Sequence, residues 1–254
     1  MHYLGLIPAR YASTRFPGKP LAILRGKPVI QWVYETVAAC LDEAYVCTDD
    51  ERILQAVEAF GGQAVMTSTS HRSGTDRCYE AYQRVGSDAD VVVNIQGDEP
   101  FIHPSQLRAV CDCFADDSTQ IATLVKPFRP DDGLDALRNP NSPKVVVDGQ
   151  MHALYFSRSV VPYLRGIEPE QWLSHHTFYK HIGLYAYRAP VLRAITALPP
   201  GRLEQAESLE QLRWLENGFV IRVGLTDVET IGIDTPEDLA RAERFASLTE
   251  TLNS

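Results

Sequence analysis

The sequence has no excess of positive charge: 24 lysines and arginines stand against 33 aspartates and glutamates in 254 residues, a formal charge of -9. A chain that neutralises many phosphates at once needs the opposite balance, so general nucleic-acid binding and adhesion to anionic membranes are excluded. Any anionic ligand must be met by local positive charge. There is no uninterrupted apolar run of membrane-spanning length, and MHYLGLIPAR has no basic lead into a long apolar segment. The expectation is a cytoplasmic location without membrane insertion. Cysteine is scarce and unpaired in pattern: Cys40, Cys47, Cys78, Cys111 and Cys113 are odd in number and lack C-x-x-C spacing, which favours reduced, mostly buried thiols over a disulfide framework or a zinc site. Cys111 and Cys113, two apart, share no helical face. Internal repeats, low-complexity tracts and a clear linker are also missing. So are both common phosphate fingerprints, G-x-x-x-x-G-K-[ST] and G-x-G-x-x-G.

What is present is an alternation of short apolar runs with helical periodicity. HYLGLI reads as a strand and PVIQWVYETVAAC as a helix. AYVCT and DERILQAVEAF repeat the pair, with Gly61 and Gly62 as the stop. QAVMT is a third strand, TDRCYEAYQRV its helix, and DVVVNIQ a fully buried central strand. This predicts an α/β fold with a doubly wound, mostly parallel sheet in a single domain over 1–254. Farther on, TQIATLVKPF, PKVVVD, MHALYFSR and HIGLYAYR read as strands, and Pro162 to Thr177 as irregular. RLEQAESLEQLRWLENG reads as one helix, followed by strands FVIRVGL and TIGID and a last helix from Pro236. About 145–187 is expected to leave the main sheet as a strand-rich extension, of a kind that serves dimer contacts.

Positive charge concentrates in IPARYASTRFPGKP, where Arg10, Arg15 and Lys19 stand without an acidic residue. The segment reads either as a solvated loop turning at Pro17-Gly18 or as a phosphate cradle in which Ser13, Thr14, Gly18 and the cations act together. Its place directly after the first strand, where an open α/β sheet sets its ligand crevice, favours the cradle. DVVVNIQGDEPFI puts Asp98 just past the most hydrophobic strand, either in a simple turn or placed to bind a divalent cation bridging phosphate oxygens. TIGIDTPEDL repeats the logic: Thr235 fits an N-cap and Pro236 the first helical position, leaving Asp234 outside the helix. HRSGTDR sets Ser73, Gly74 and Thr75 at a helix start, as caps or as donors to a base.

Taken in order, these motifs resemble those of the 3-deoxy-manno-octulosonate (Kdo) cytidylyltransferase family, over nearly the whole chain. The match rests on I-P-A-R-x-x-S-[ST]-R-x-P-G-K-P at Arg10, Ser13, Thr14, Arg15, Pro17, Gly18, Lys19 and Pro20, and on H-x-S-G-T-[DE]-R at His71 to Arg77. The resemblance implies a Rossmann-type nucleotidyltransferase fold, CTP and Kdo as substrates, CMP-Kdo and diphosphate as products, Mg2+ as cofactor, and a homodimer. It implies CTP contacts at Ala9, Arg10, Ser13, Thr14, Arg15, Lys19, Ser73, Gly74, Thr75 and Gln96, with Asp98 and Asp234 on the metal. It further implies a Kdo pocket of Gln96, Gly97, Arg158, His181, Tyr185, Glu210 and Gln211, and a catalytic set of Arg10, Lys19 and Asp98. Arg158 would meet the sugar's carboxylate, and Glu210 and Gln211 its hydroxyls. One stretch departs from the family: Ser159 to His181 is shorter than in many members and carries a His175-His176 pair with no matching role. Two rival readings stand beside this one. A transferase for sialic acid or an amino analogue of Kdo would use the same metal logic, and a non-catalytic nucleotide-sugar sensor would not need two metal carboxylates.

Overall fold

The structure, a computed structural model, describes residues 1–229 and 232–252. The chain divides into two compact units, Met1–Leu107 with Thr230–Ser254, and Arg108–Glu229.

The first unit follows the expected alternation. Strand β1 (Tyr3–Ala9) is followed by a small hairpin, β2 (Ile23–Leu24) and β3 (Lys27–Pro28), and by helix α1 (Val29–Ala38). Then come β4 (Glu43–Thr48), α2 (Glu51–Ala59), β5 (Ala64–Met66), α3 (Gly74–Val85) and β6 (Val91–Asn94), with α4 (Pro104–Asp112) next in the chain. Local chemistry explains the boundaries. Helix α1 buries Val29, Ile30, Val33 and Val37 along one stripe. Asp50 caps α2 by accepting from the Arg52 amide at 3.0 Å, and Gly86, with φ 68 in the left-handed region, ends α3. All four residues of β6 are buried, as a consecutive valine run at a sheet centre requires. The strands pair in the order β6-β1-β4-β5, all parallel. The chain therefore builds outward from β1 on one side and returns to its other side with β6. That reversal is the switch point at which open α/β sheets bind ligands, and it is flanked by the carboxyl ends of β1 and β6.

The second unit contains β7 (Ile121–Pro127), α5 (Gly133–Arg138), β8 (Lys144–Val147), β9 (Ala153–Ser157), α6 (Trp172–His175), β10 (Tyr179–Arg188), α7 (Ala189–Thr196), α8 (Arg202–Glu207), α9 (Gln211–Glu216) and β11 (Ile221–Leu225). Strand β10 pairs antiparallel with β7 and β8, β8 antiparallel with β9, and β11 parallel with β7. The expected strand-rich second half is thus present, and among the described pairings within this unit the parallel one is β11 with β7. The last helix, α10 (Pro236–Leu252), belongs to the first unit.

Three expectations need correction. The single helix over 202–218 is two helices, broken where Ser208 adopts a left-handed φ of 52 degrees. The strand TIGID is not formed at Gly232, Ile233 and Asp234, while Thr230 and Ile231 lie outside the described residues. Instead of a ladder, the Ile233 amide donates to the Asp98 carbonyl at 2.8 Å, and the Ile233 side chain packs with Leu24, Val29 and Ala242. The irregular stretch 162–177 contains α6, whose Trp172 is buried with Phe128, Leu137 and Phe178. The histidine pair has a packing role there: His175 Nδ1 lies 2.9 Å from the Gln171 carbonyl, and the His176 ring meets Phe178 edge-on. None of the five cysteines is in a disulfide, and two of them, Cys47 and Cys78, are buried. No helix among the described residues is long and apolar enough to cross a membrane.

Candidate active site

At the switch point of the first unit lies an open cleft with an empty volume of about 690 Å³, open solvent included. The charged loop forms one wall because it folds back on itself. The Gly18 amide donates to the Tyr11 carbonyl at 2.9 Å, and Gly18 takes φ 72, where an added Cβ would also stand 2.9 Å from the Tyr11 ring. Glycine is therefore required twice over, by conformation and by space. A short 3-10 turn, Lys19–Leu21, then delivers Lys19 to the end of β1. The Arg52 guanidinium lies 3.3 Å from the centre of the Tyr11 ring and braces the loop from outside the cleft.

Lys19 organises the floor. Its side chain is only 16% exposed, and its ammonium donates both to Asp98 Oδ2 and, at 3.0 Å, to Asp234 Oδ1. Arg15 reaches the other oxygen of Asp234 at 3.1 Å. Burial is the largest single influence on the Lys19 pKa and pulls it down. The charges and hydrogen bonds of Asp98 and Asp234 outweigh it, so the net shift is upward and the group is cationic at neutral pH. Asp98 reaches this point because Gly97 lets the chain pass close to β1. A Cβ on Gly97 would sit 2.9 Å from the Pro8 carbonyl oxygen, a backbone atom that cannot rotate away. Asp234 arrives from the other end of the sequence, held by the Ile233 amide and its apolar anchor.

Two carboxylates that share one cation at the edge of a polar cleft form a donor set that also fits a hard divalent ion. Such an ion takes carboxylate oxygens and completes its shell with phosphate and water, for which the open side of the cleft leaves room. Among the described residues no cluster of three or more acidic, histidine or cysteine side chains exists, so any metal would take the rest of its shell from substrate and solvent.

The opposite wall is the start of α3. Ser73 caps the helix, its hydroxyl accepting from the Asp76 amide at 3.1 Å. His71 is paired with Glu80, which also accepts from the Ser68 amide at 2.8 Å and is bonded by Arg84 at 2.7 Å. Burial, the largest influence on Glu80, opposes its ionisation, but these bonds prevail and bring its pKa down to about 2. Arg77 is buried and bonded to Thr67 Oγ1 at 2.6 Å and Asp49 at 2.7 Å.

Of the residues named from sequence, Ala9, Arg10, Lys19, Ser73, Gly74, Gln96, Gly97 and Asp98 line this cleft. Asp234 joins them through Lys19. Ser13, Thr14, Arg15 and Thr75 are not part of the lining. The Ser13 hydroxyl accepts from the Phe16 amide at 3.3 Å and shapes the loop, Thr14 is exposed, and Thr75 is buried in the first turn of α3. His71, Arg72 and Arg77 also line the cleft; His71 and Arg77 bound the HRSGTDR motif, from which the sequence reading gives them no ligand role. The signal for them was the flanking charge in HRSGTDR.

The other named residues lie in the second unit. Arg158 donates from Nε to the Glu207 carbonyl at 2.6 Å and from its terminal nitrogens to the carbonyls of Pro140 at 2.9 Å and Ser208 at 3.2 Å. Three of its five N–H donors are thereby used, and the fork is held in a fixed orientation. His181 lies between the rings of Phe156 and Tyr185 and within 3.0 Å of Thr123 Oγ1. Tyr185 packs edge-on against Trp214 of α9. Glu210 accepts from Arg213 at 2.6 Å, and Gln211 is buried with no partner for its Nε2 among the described residues. The rings pack against one another in the interior of this unit, and the Gln211 amide is left as an unspent donor.

Burial pulls the His181 imidazole down to about 3, from 6.5. A group whose pKa is lower folded than unfolded binds fewer protons in the native state, so its contribution is complete above about pH 6.5 and is lost as pH falls toward 3. Across that window the folding equilibrium constant should drop, by up to about tenfold per pH unit from this residue. Urea unfolding at pH 7, 6, 5 and 4 should show a shallower acid slope in His181→Phe than in the wild type. Identical slopes would show that His181 titrates normally.

Comparison with known proteins agrees with this geometry. Residues 4–231 match the family model for cytidylyltransferases. The chain is 72% identical over 245 residues, covering 96% of this chain and 97% of the relative, to the 3-deoxy-manno-octulosonate cytidylyltransferase of Phocaeicola vulgatus, and 68% identical, covering 96% and 98%, to that of Bacteroides thetaiotaomicron. A solved structure of CMP:2-keto-3-deoxy-manno-octonic acid synthetase, complexed with CTP, superposes with a TM-score of 0.89 at 41% identity, covering 98% of this chain and all of that one. The switch-point cleft, the basic loop that walls it and the full-length matches lead to one assignment: this chain belongs to the cytidylyltransferase family.

Proposed function

We propose that the protein transfers the cytidylyl group of CTP to 3-deoxy-manno-octulosonate, giving CMP-Kdo and diphosphate, the activated sugar from which lipopolysaccharide is built. The observation that carries this reading is the meeting of Lys19, Asp98 and Asp234 beside Arg10 at the switch point. A triphosphate needs cations along its length, and a phosphoryl transfer needs charge neutralised where it develops. Arg10 and Lys19 are the cleft's candidates for that work, with Arg15 at its rim. Gln96 and the Ser73-Gly74 helix start offer donors and acceptors to the base and ribose.

In the reaction the sugar's anomeric oxygen attacks the α-phosphorus in line. A new P–O bond forms as the bond to the diphosphate oxygen breaks, and the hydroxyl proton passes to solvent. No covalent enzyme intermediate is required, so positioning and charge neutralisation carry the catalysis. Asp98 and Asp234 are the residues to hold Mg2+, which when bound supplies polarisation of the phosphate oxygens. On the sugar side, Arg158 faces the carboxylate and Glu210, Gln211, His181 and Tyr185 the hydroxyls. The same reading places the enzyme in the cytoplasm, where CTP is available. It also extends to a homodimer through 145–187, where Leu154 and Tyr163 expose apolar surface; a monomeric mass by light scattering would remove that part.

The test is diphosphate release with CTP and Mg2+ against a panel of acidic sugars: Kdo, its amino analogue and sialic acid. Release should be fastest with Kdo. Faster turnover of either rival would reassign the substrate, and no release with any sugar would leave only nucleotide binding.

A further inference from the structure

The break between α8 and α9 is held by a reciprocal pair of bonds between Glu207 and Arg158. The Glu207 carboxylate accepts from the Ser157 hydroxyl at 2.7 Å through one oxygen and from the Arg158 amide at 2.9 Å through the other. In return the Arg158 side chain donates to the Glu207 carbonyl at 2.6 Å and the Ser208 carbonyl at 3.2 Å. Each residue thus fixes the other's backbone. Lys144, fully buried, ties the same strand end down by donating to the Arg158 carbonyl at 2.7 Å and the Asn139 carbonyl at 3.0 Å. The sequence 202–218 has the periodicity of one continuous helix, yet Ser208 takes φ 52, a left-handed conformation that is unfavourable for a non-glycine residue. Something must hold that turn, and the Glu207–Arg158 lock spans it. Glu210 and Gln211 follow directly after the turn.

We infer that Glu207 is a positioning residue for sugar recognition: it sets the Arg158 guanidinium and, through the turn at Ser208, the start of α9 that carries Glu210 and Gln211. This rests on the reading of Arg158 and Gln211 as sugar contacts. Glu207 acts through those residues and has no need to touch the substrate. The chemistry of the lock explains why a carboxylate is needed, since two donors must be accepted at once in a fixed geometry.

Steady-state kinetics with each substrate varied in turn tests the role. Glu207→Ala should raise KM for Kdo by about tenfold or more, the loss of roughly one charge-assisted hydrogen bond's worth of alignment, with KM for CTP within about twofold of wild type. Glu207→Gln keeps one acceptor oxygen and should give a smaller rise in the same KM, which keeps the test open if the alanine variant does not fold. Ser208→Gly, which favours the left-handed turn, should leave both constants unchanged. Wild-type KM for Kdo in both Glu207 variants, while Arg158→Met raises it, overturns the positioning role alone. A parallel rise of both KM values in Glu207→Gln overturns it in favour of a merely structural one. If Arg158→Met and Gln211→Leu leave KM for Kdo unchanged, the sugar-site reading fails and the positioning role with it.

Discussion

Asp98→Asn should lower kcat by about a thousandfold or more while leaving the melting temperature within a few degrees of wild type. The substitution keeps size and one acceptor oxygen, so Lys19 retains a partner, but it removes one of the two negative charges that converge at the cleft floor. What residue 98 does for the fold is done by its backbone, whose carbonyl accepts from the Ile233 amide at 2.8 Å, and that bond survives the change. Activity and stability should therefore separate. Asp98 is also the less exposed of the pair, at 24% against 44% for Asp234. Its charge is less screened by water and should matter more. Single-turnover release of diphosphate, read beside thermal unfolding, checks both halves. A rate within tenfold of wild type would remove Asp98 from the reaction, and a collapse in melting temperature would make it a structural residue.

The parts of this molecule that sequence made legible are those fixed by neighbours in the chain. The valine run of β6, the Ser73 cap and the charged loop after β1 each depend on residues a few positions apart, and each lies where periodicity and capping rules put it. The switch-point cleft follows from them, because two strand ends and their loops define it. What escaped was set at long range. Lys19 meets Asp98 across 79 positions and Asp234 across 215. The helix break at Ser208 depends on Arg158, about 50 positions away, and a periodic pattern carries no mark of that lock. Ile233 replaces an expected strand pairing by one hydrogen bond and a buried side chain, a choice made by tertiary packing over local propensity. Ser13 and Thr75, which the resemblance assigns to CTP, have local surroundings that no periodic pattern specifies: the Ser13 hydroxyl accepts from the Phe16 amide of its own turn, and Thr75 is buried.

Lys19→Met should lower kcat/KM for CTP by about a hundredfold to a thousandfold, and the same variant should respond more strongly to divalent cations than the wild type. The two effects have one origin. In this structure the Lys19 ammonium is the cation shared by Asp98 and Asp234. A divalent ion entering that position must compete with it, and so must any phosphate that draws Lys19 away. Methionine keeps the apolar stem and removes the charge, which leaves two carboxylates converging with no ammonium between them. Like charges at that separation repel, and a bound Mg2+ would then relieve the repulsion without displacing anything. By mass action, tighter binding to the native state raises its stability. The rise in melting temperature on adding Mg2+ should thus be larger in Lys19→Met than in wild type, measured without nucleotide so that catalysis plays no part. Arg15→Met provides the internal comparison, because Arg15 pairs with the Oδ2 oxygen of Asp234 and is largely exposed. Its effects on both readouts should be smaller. An equal Mg2+ response in wild type and Lys19→Met would mean that the ammonium and the metal do not share the position between the carboxylates. Undiminished kcat/KM for CTP would mean that Lys19 does not meet the phosphates.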